Sequence, residues 1–417
     1  MAGNTPEMKV ALVQVACPAS TGNVDFTDAS VSSDLVGAFF FGGIAATNDS
    51  TAANAAWSFG ATDLTGNVCI AYDGRDNVTG ATSQGLASST KAVQRNSGSG
   101  SGVVAAYSST LSNGVRMNYS AVTSGALTSA LLISGSDTAM KVGSVQYGTS
   151  DVFQVVTHGL GGTPDVLIVF VAGNSTGTDV GAQAISAGFW DRTTTNCFTS
   201  ALRFQSGANP TSGNAYMADV AIGKSLANGS VTNTHTLVSV GATTFTLQRP
   251  STGTSDFVPW IALRGTGARM VTKAAMVTTP LATGNSTLIS GMSGAPQVIL
   301  TLPTRLQTAN ALQTDDTTGS YGFGVACNHD GTTTQYASCI STMQDNVATS
   351  VSKHMASNTT GLGVLDNTGA YTVKSTVNSW DSGGATLNYS AVNASALEVI
   401  YLAFGQGLNP STAWLRA

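Results

Sequence analysis

Charge is what this chain has least of. Its 417 residues include 17 Lys+Arg and 22 Asp+Glu, 9% in all, where a typical soluble domain carries roughly a quarter. Glutamate is nearly missing, with only Glu7 and Glu398 present, and lysine is scarce. The residues that best sustain helices are therefore thin on the ground, which argues against a helical fold. Lys and Arg are scattered singly, so no basic stripe offers a phosphate-binding footprint, and a nucleic-acid partner is not expected. No apolar run approaches the ~20 residues that a membrane-spanning helix needs, so membrane insertion is not expected either. The first residues, Met1 to Glu7, lack a charged segment leading into an apolar one, and a classical export signal is not expected. The five cysteines (Cys17, Cys69, Cys197, Cys327, Cys339) form no CxxC pair and are odd in number. They read as small buried hydrophobes in a reducing compartment.

What replaces the charge is Ser, Thr, Asn and 47 Gly, alongside an ordinary 42% of hydrophobic residues. Disorder usually pairs low hydrophobicity with high net charge, and this chain has neither, so it is expected to fold. Thr, Val, Ser and Gly suit strands and turns. A polar surface with little charge also lacks the repulsion that keeps solitary proteins apart, so close packing against neighbours is tolerated.

The chain repeats itself. Asn118-Tyr119-Ser120-Ala121-Val122 returns letter for letter as Asn388-Tyr389-Ser390-Ala391-Val392. Each copy leads to an apolar ending, Leu131 to Gly135 and Tyr401 to Gly405, and Trp260 to Gly265 supplies a third between them. Early in each third stands a short apolar run bounded by turn residues: Asp34–Phe41, Asp165–Ala172 and Gln297–Leu302. Such runs fit buried strands. Aromatic-glycine stretches follow, at Trp57–Gly60, Ser186–Trp190 and Tyr321–Val325, where glycine admits close backbone approach. His235–Val240, Gly241-Ala242 and Thr243–Gln248 then read as a hairpin. The expected fold is all-β: three tandem β-sandwich modules of about 130 residues with short connections. They cover 1–137, 138–267 and 268–405, with boundaries near Ser136–Met140 and Thr266–Arg269. Residues 406–417 form a C-terminal extension holding Trp414, a tail or an anchoring arm. Asn96–Gly102 reads as a flexible loop tip.

Reactive constellations are weak. Gly173-Asn174-Ser175-Thr176-Gly177 matches the spacing of a nucleophile elbow, with His235 and Asp179 as conceivable base and orienter, but the required helix does not follow. The four histidines (His158, His235, His329, His354) have no zinc spacing. Asp73–Asn77 and Asp315-Asp316 offer oxygen ligands without an EF-hand spacing. Gly159-Leu160-Gly161-Gly162 lacks a βαβ setting for a dinucleotide. The five tryptophans are candidates for stacking on sugars, but those inside alternating runs read as core. No catalytic, cofactor-binding or metal residues are assigned, and enzymatic activity and cofactors are not expected.

The middle third resembles small β-sandwich repeats of structural proteins in tailed bacteriophages, and is somewhat similar to H-type lectin-like sandwiches. Thr163–Phe170, Ile185–Phe189, Val238–Thr246 and Trp260–Ala262 carry the resemblance; the outer thirds keep the layout and lose many letters. It implies a non-enzymatic virion component, made in the host cytoplasm, whose partners are other virion subunits and itself. Capsid decoration or a head fibre is the first expectation, because three like modules in one chain imitate a trimer at a three-fold site. The alternative is a tail-fibre, tail-tip or adhesin module binding host-surface carbohydrate.

Overall fold

The structure is a computed structural model, and it describes residues 8–74, 83–96, 101–172, 180–181, 184–204, 213–227, 230–250, 255–266, 269–312, 319–342 and 351–406. Every regular element among them is a strand. The first third contains β1 (Lys9–Ala16), β2 (Gly22–Thr27), β3 (Leu35–Gly43), β4 (Thr51–Ala53), β5 (Ala55–Thr62) and β6 (Asn67–Gly74). It continues with β7 (Ser83–Ser88), β8 (Val93–Asn96), β9 (Ser101–Leu111), β10 (Gly114–Ala121) and β11 (Leu127–Ser134). The second holds β12 (Thr138–Gln146), β13 (Phe153–Thr157), β14 (Val166–Ala172), β15 (Val180–Gly181), β16 (Ala184–Asp191) and β17 (Cys197–Phe204). There follow β18 (Gly213–Ala218), β19 (Gly223–Ala227), β20 (Ser230–Val240), β21 (Thr244–Gln248) and β22 (Phe257–Gly265). The last holds β23 (Val271–Thr278), β24 (Gly284–Ile289), β25 (Val298–Pro303), β26 (Gly319–His329) and β27 (Thr332–Thr342). It ends with β28 (Lys353–Ser357), β29 (Leu362–Leu365), β30 (Tyr371–Asp381), β31 (Gly384–Ala391) and β32 (Glu398–Gly405). Of the segment expected as a flexible loop tip, 97–100 lies outside the described residues.

These strands form six antiparallel sheets in three pairs. The large sheets run β1-β11-β3-β5-β6-β7, β12-β22-β14-β16-β17-β18 and β23-β32-β25-β26-β27-β28. Their small partners run β2-β10-β9-β8, β13-β21-β20-β19 and β24-β31-β30-β29. The strand order is the same each time. Each pair packs face to face: Ala38, Phe40 and Leu132 meet Phe26, Val103 and Met117 in the first. In the second, Leu167, Val169 and Val171 meet Phe245 and Leu247.

The continuous apolar runs have a physical cause. All seven residues of β14 are buried, because the strand has a core on both faces. Leu167, Val169 and Val171 fill the sandwich, whereas Val166, Ile168 and Phe170 point the other way, into a core shared by all three large sheets. At its centre the Phe59 ring lies 4.0 Å from Phe323 and 5.1 Å from Phe170, and Phe189 lies 6.4 Å from Phe323. The three sandwiches thus turn their large sheets inward around one hydrophobic hub.

Three glycines fix the equivalence of positions. A β-carbon on Gly60, Gly188 or Gly324 would lie 2.2, 2.0 or 2.0 Å from the carbonyl oxygen of Ala92, Ile222 or Gly361. Only glycine lets the residue just before β8, β19 or β29 approach the large sheet this closely.

Two kinds of joint run around the ring in a constant sense. Asp63, in the β5–β6 turn, accepts from the Val142 amide of β12 at 3.4 Å. Asp191, the last residue of β16 before the turn to β17, accepts from the Ala274 amide of β23 at 2.8 Å. At the third joint Cys327 stands in that place and hydrogen-bonds the Leu12 backbone of β1, its buried thiol pushed up to about 12. Strand edges are passed in the opposite sense. β15 joins the edge of β7, β4 joins the edge of β28, and Asn310 donates its amide to the Met217 carbonyl of β18 at 2.7 Å. At the closing joint, buried His354 of β28 accepts from the Ala45 amide at 3.2 Å and meets Ser338 Oγ at 2.9 Å. Capping open edges in this way removes templates for unwanted pairing.

Candidate interaction surface

The inward faces leave the outward faces of the three small sheets as the ring's rim, and register allows a position-by-position comparison. On the first rim, Asn118 donates to Asn23 at 3.1 Å, and Arg116 holds Asp25 through two bonds of 2.7 and 2.8 Å. The Arg116 guanidinium draws the Asp25 carboxyl below the usual carboxylate range. On the third rim, Asn388 donates to Asn285 at 2.9 Å and Thr386 faces Thr287 at 3.5 Å. Both are cross-strand polar pairs of the kind that stabilise a solvated sheet face.

The second rim differs at the same places. Phe153 lies opposite Gln248, and Val155 opposite Thr246. The residue bulged out of the long neighbouring strand is Ser108 in the first sheet, Val238 in the second and Asn378 in the third. Phe153, Val155 and Val238 are 56%, 66% and 52% exposed. Three of the five large exposed apolar side chains among the described residues therefore sit on one sheet face. β13 is also the edge strand of its sheet, and its Phe-Gln-Val-Val-Thr sequence carries no lysine or proline to guard the edge. Three large apolar side chains exposed on one sheet make this rim the candidate interaction surface.

The other candidates fall elsewhere. Ser175 and Asp179 lie outside the described residues, as do Asp315-Asp316 and Trp414. His235 is buried inside the second sandwich, its Nε2 3.0 Å from Asp256 Oδ2. Arg249 donates to the same carboxylate at 3.4 Å and lies over the Tyr147 ring at 4.7 Å. Asn233 completes the cluster at 3.3 Å. Arg249 occupies the position that Tyr119 and Tyr389 hold in the other small sheets, so this is a polar solution to filling a core corner. His158 is buried against Gly241, and burial pushes its pKa down. His329 sits at the end of β26 beside Asp330. Asp73 is buried at the end of β6, and Asp76 and Asn77 of that motif lie outside the described residues. Gly159 and Gly161 adopt positive φ in a turn before β14. Among the described residues no three His, Cys, Asp or Glu gather as a metal site, and no helix is long and apolar enough to cross a membrane. Trp57, Trp190 and Trp260 are buried, and half-exposed Trp380 donates its indole N–H to Thr333 at 2.8 Å. All five cysteines are free thiols.

No family model, curated protein or solved structure matches the chain.

Sequence reading missed the rim patch. Val155 and Val238 lie in alternating strands where valine is unremarkable; only the pairing register shows that these face outward and together. The one signal available was the contrast with Asn23, Asp25, Asn285 and Thr287 at corresponding places.

Proposed function

We propose that the chain is a non-enzymatic structural component of a tailed-phage virion, most simply a capsid-decoration or head-fibre subunit. In this reading it is three copies of one sandwich module, 1–137, 138–267 and 268–405, closed into a single-chain imitation of a trimer. The observation that carries the proposal is the shared hub, in which Phe59, Phe170, Phe189 and Phe323 converge from all three large sheets. A ring closed by its own core is a rigid block, suited to passive burial against neighbours rather than to a moving reaction cycle. The apolar second rim gives that block one face for a neighbouring virion subunit. The likeness of the middle third to tailed-phage repeats supplies the setting.

The carbohydrate-binding alternative calls for tryptophans offered to a sugar face. Trp57, Trp190 and Trp260 are committed to cores instead, which favours the structural reading.

Quantitative mass spectrometry of purified phage particles tests the proposal. A copy number comparable with that of the major capsid protein assigns a lattice-wide role. A few copies per particle assign a tail or vertex position. Absence from particles overturns the virion reading.

A further inference from the structure

We propose that Arg203 and Lys224, where β17, β18 and β19 of the second sandwich meet, build an oxyanion-binding site. This inference is independent of the virion reading. It starts from two cations that are nearly withdrawn from solvent, Arg203 at 7% and Lys224 at 6% exposure. The chain is poor in charge, and buried cations normally sit beside a carboxylate. These two do not. Arg203 Nη1 is buried without a hydrogen-bond acceptor. Lys224 Nζ reaches Thr234 Oγ1 at 2.6 Å and lies 4.8 Å above the Tyr216 ring. Burial lowers the pKa of each, and no neighbouring acid offsets it. Asp219, beyond the end of β18, accepts from Asn310 at 2.7 Å and acts on Tyr216.

Register brings the pair together. Arg203 lies two residues from Ala201 on the same face of β17, and Ala201 is opposite both Ser186 and Tyr216. The Lys224 amide donates to Ser186 Oγ at 3.0 Å, which sets β19 over that row. Ala184, opposite Arg203, packs with Ala201, Leu226 and Tyr216 in one small apolar cluster. Arg203 and Lys224 thus stand on packed strands, β17 and β19, that share this apolar cluster, with the Lys224 ammonium over the Tyr216 ring. An oxyanion with two or more oxygens can accept from a guanidinium and a lysine at once, and such charge-assisted bonds are strong where water is excluded. The arrangement belongs to the second sandwich only: Asp73 and Ser341 stand at the place of Arg203, and Gln94 and Gly363 at that of Lys224.

The probe is inorganic phosphate, titrated into the full chain against chloride at equal ionic strength. Thermal unfolding and the NMR signals of the tyrosine rings are followed, and acetate forms a parallel arm. Saturable stabilisation with a shift at Tyr216, abolished in both Arg203→Met and Lys224→Met, is the expected result. A response to phosphate alone assigns a phosphate-type ligand, and an equal response to acetate assigns a carboxylate. Methionine keeps most of the apolar stem and removes the unpaired charge, so in chloride both variants should melt at or above the parent temperature. Either of two results overturns the site: a phosphate response that is absent, unsaturable or retained in the variants, or variants that melt lower in chloride. The second would mean that the cations already have partners within the fold.

Discussion

The inner and outer faces of the ring follow different rules. Inward, corresponding positions stay apolar in all three sandwiches: Phe39, Ile168 and Leu300 on one strand, Trp57, Ile185 and Tyr321 on the next. Outward, corresponding positions diverge, with hydrogen-bonded pairs on the first and third rims and Phe153, Val155 and Val238 on the second. The inward residues of all three sandwiches share one core, so a polar group there would lose water without gaining a partner. Nothing in folding imposes that limit on the rim. Chemical difference accumulates where closure leaves it free, and the rim is where the three sandwiches are distinguishable to a partner.

The largest effect should come from breaking the inner face. Phe323 touches the rings of Phe41, Phe59 and Phe189. Phe323→Ala should lower unfolding free energy by about 3–5 kcal/mol, the range for truncating a buried phenylalanine. Because the hub belongs to all three sandwiches, denaturant unfolding should remain a single transition with an earlier midpoint. A separate transition for the third sandwich would show that the hub does not couple them.

Next come the joints. Asp191 accepts from the amides of Thr193, Thr194 and Ala274 and from the hydroxyl of Thr272. Asp191→Ala should cost about 2–3 kcal/mol, since buried donors lose their acceptor. Asp63→Ala removes similar turn bonds to Thr65 and Gly66 but only a longer bond to Val142 and a half-exposed partner, Lys141, across the joint, and should cost less, about 1–2 kcal/mol. Equal losses in urea melts would mean that the two joints are alike despite their geometry.

Acid sharpens the comparison at the closing joint. Burial, helped by nearby Arg95, pushes His354 down to about 3, from an unfolded value near 6.5. Between those values the unfolded chain holds a proton that the folded chain refuses. The contribution is therefore complete above about pH 6.5 and is lost as pH falls toward 3, with a slope approaching about 1.4 kcal/mol per pH unit for one proton. His158, also lowered, adds in the same direction. Asp63, held low mainly by the Thr65 and Gly66 bonds against its burial, adds only below about pH 4. His354→Gln should flatten the dependence of unfolding free energy between pH 7 and 5, and an unchanged slope would place the titration elsewhere.

Much of the fold was legible in the sequence because its causes are local. The runs at Asp165–Ala172 and Gln297–Leu302 announce strands buried on both sides, and β14 and β25 occupy them. Gly60, Gly188 and Gly324 announce close approach and provide it. Gly241-Ala242 turns the expected hairpin, with the Gly241 amide donating to the Thr244 carbonyl at 2.8 Å. The ring was not legible. Nothing local to Asp63 or Asp191 tells that their carboxylates reach the strand of the next sandwich. The cations at Arg203 and Lys224 were likewise invisible, because an unpaired charge is a property of its surroundings.

The smallest effect on stability, and the most telling for function, should come from the second rim. Val155→Asp paired with Thr246→Arg would rebuild there the ion pair that Asp25 and Arg116 form on the first rim. Both positions face solvent or its margin, so the urea midpoint should move by no more than about 0.5 kcal/mol equivalent. If the rim docks a virion neighbour, the variant should fold normally yet be depleted from purified particles, because a charged pair would have to be desolvated at the contact. The same substitution in reverse, Asp25→Val with Arg116→Thr, makes the first rim resemble the second. It should leave incorporation unchanged, since the partner meets only one rim. Normal incorporation of the first variant would return the second rim to ordinary solvent-exposed surface, and loss of incorporation in the reverse variant would make the first rim the docking face.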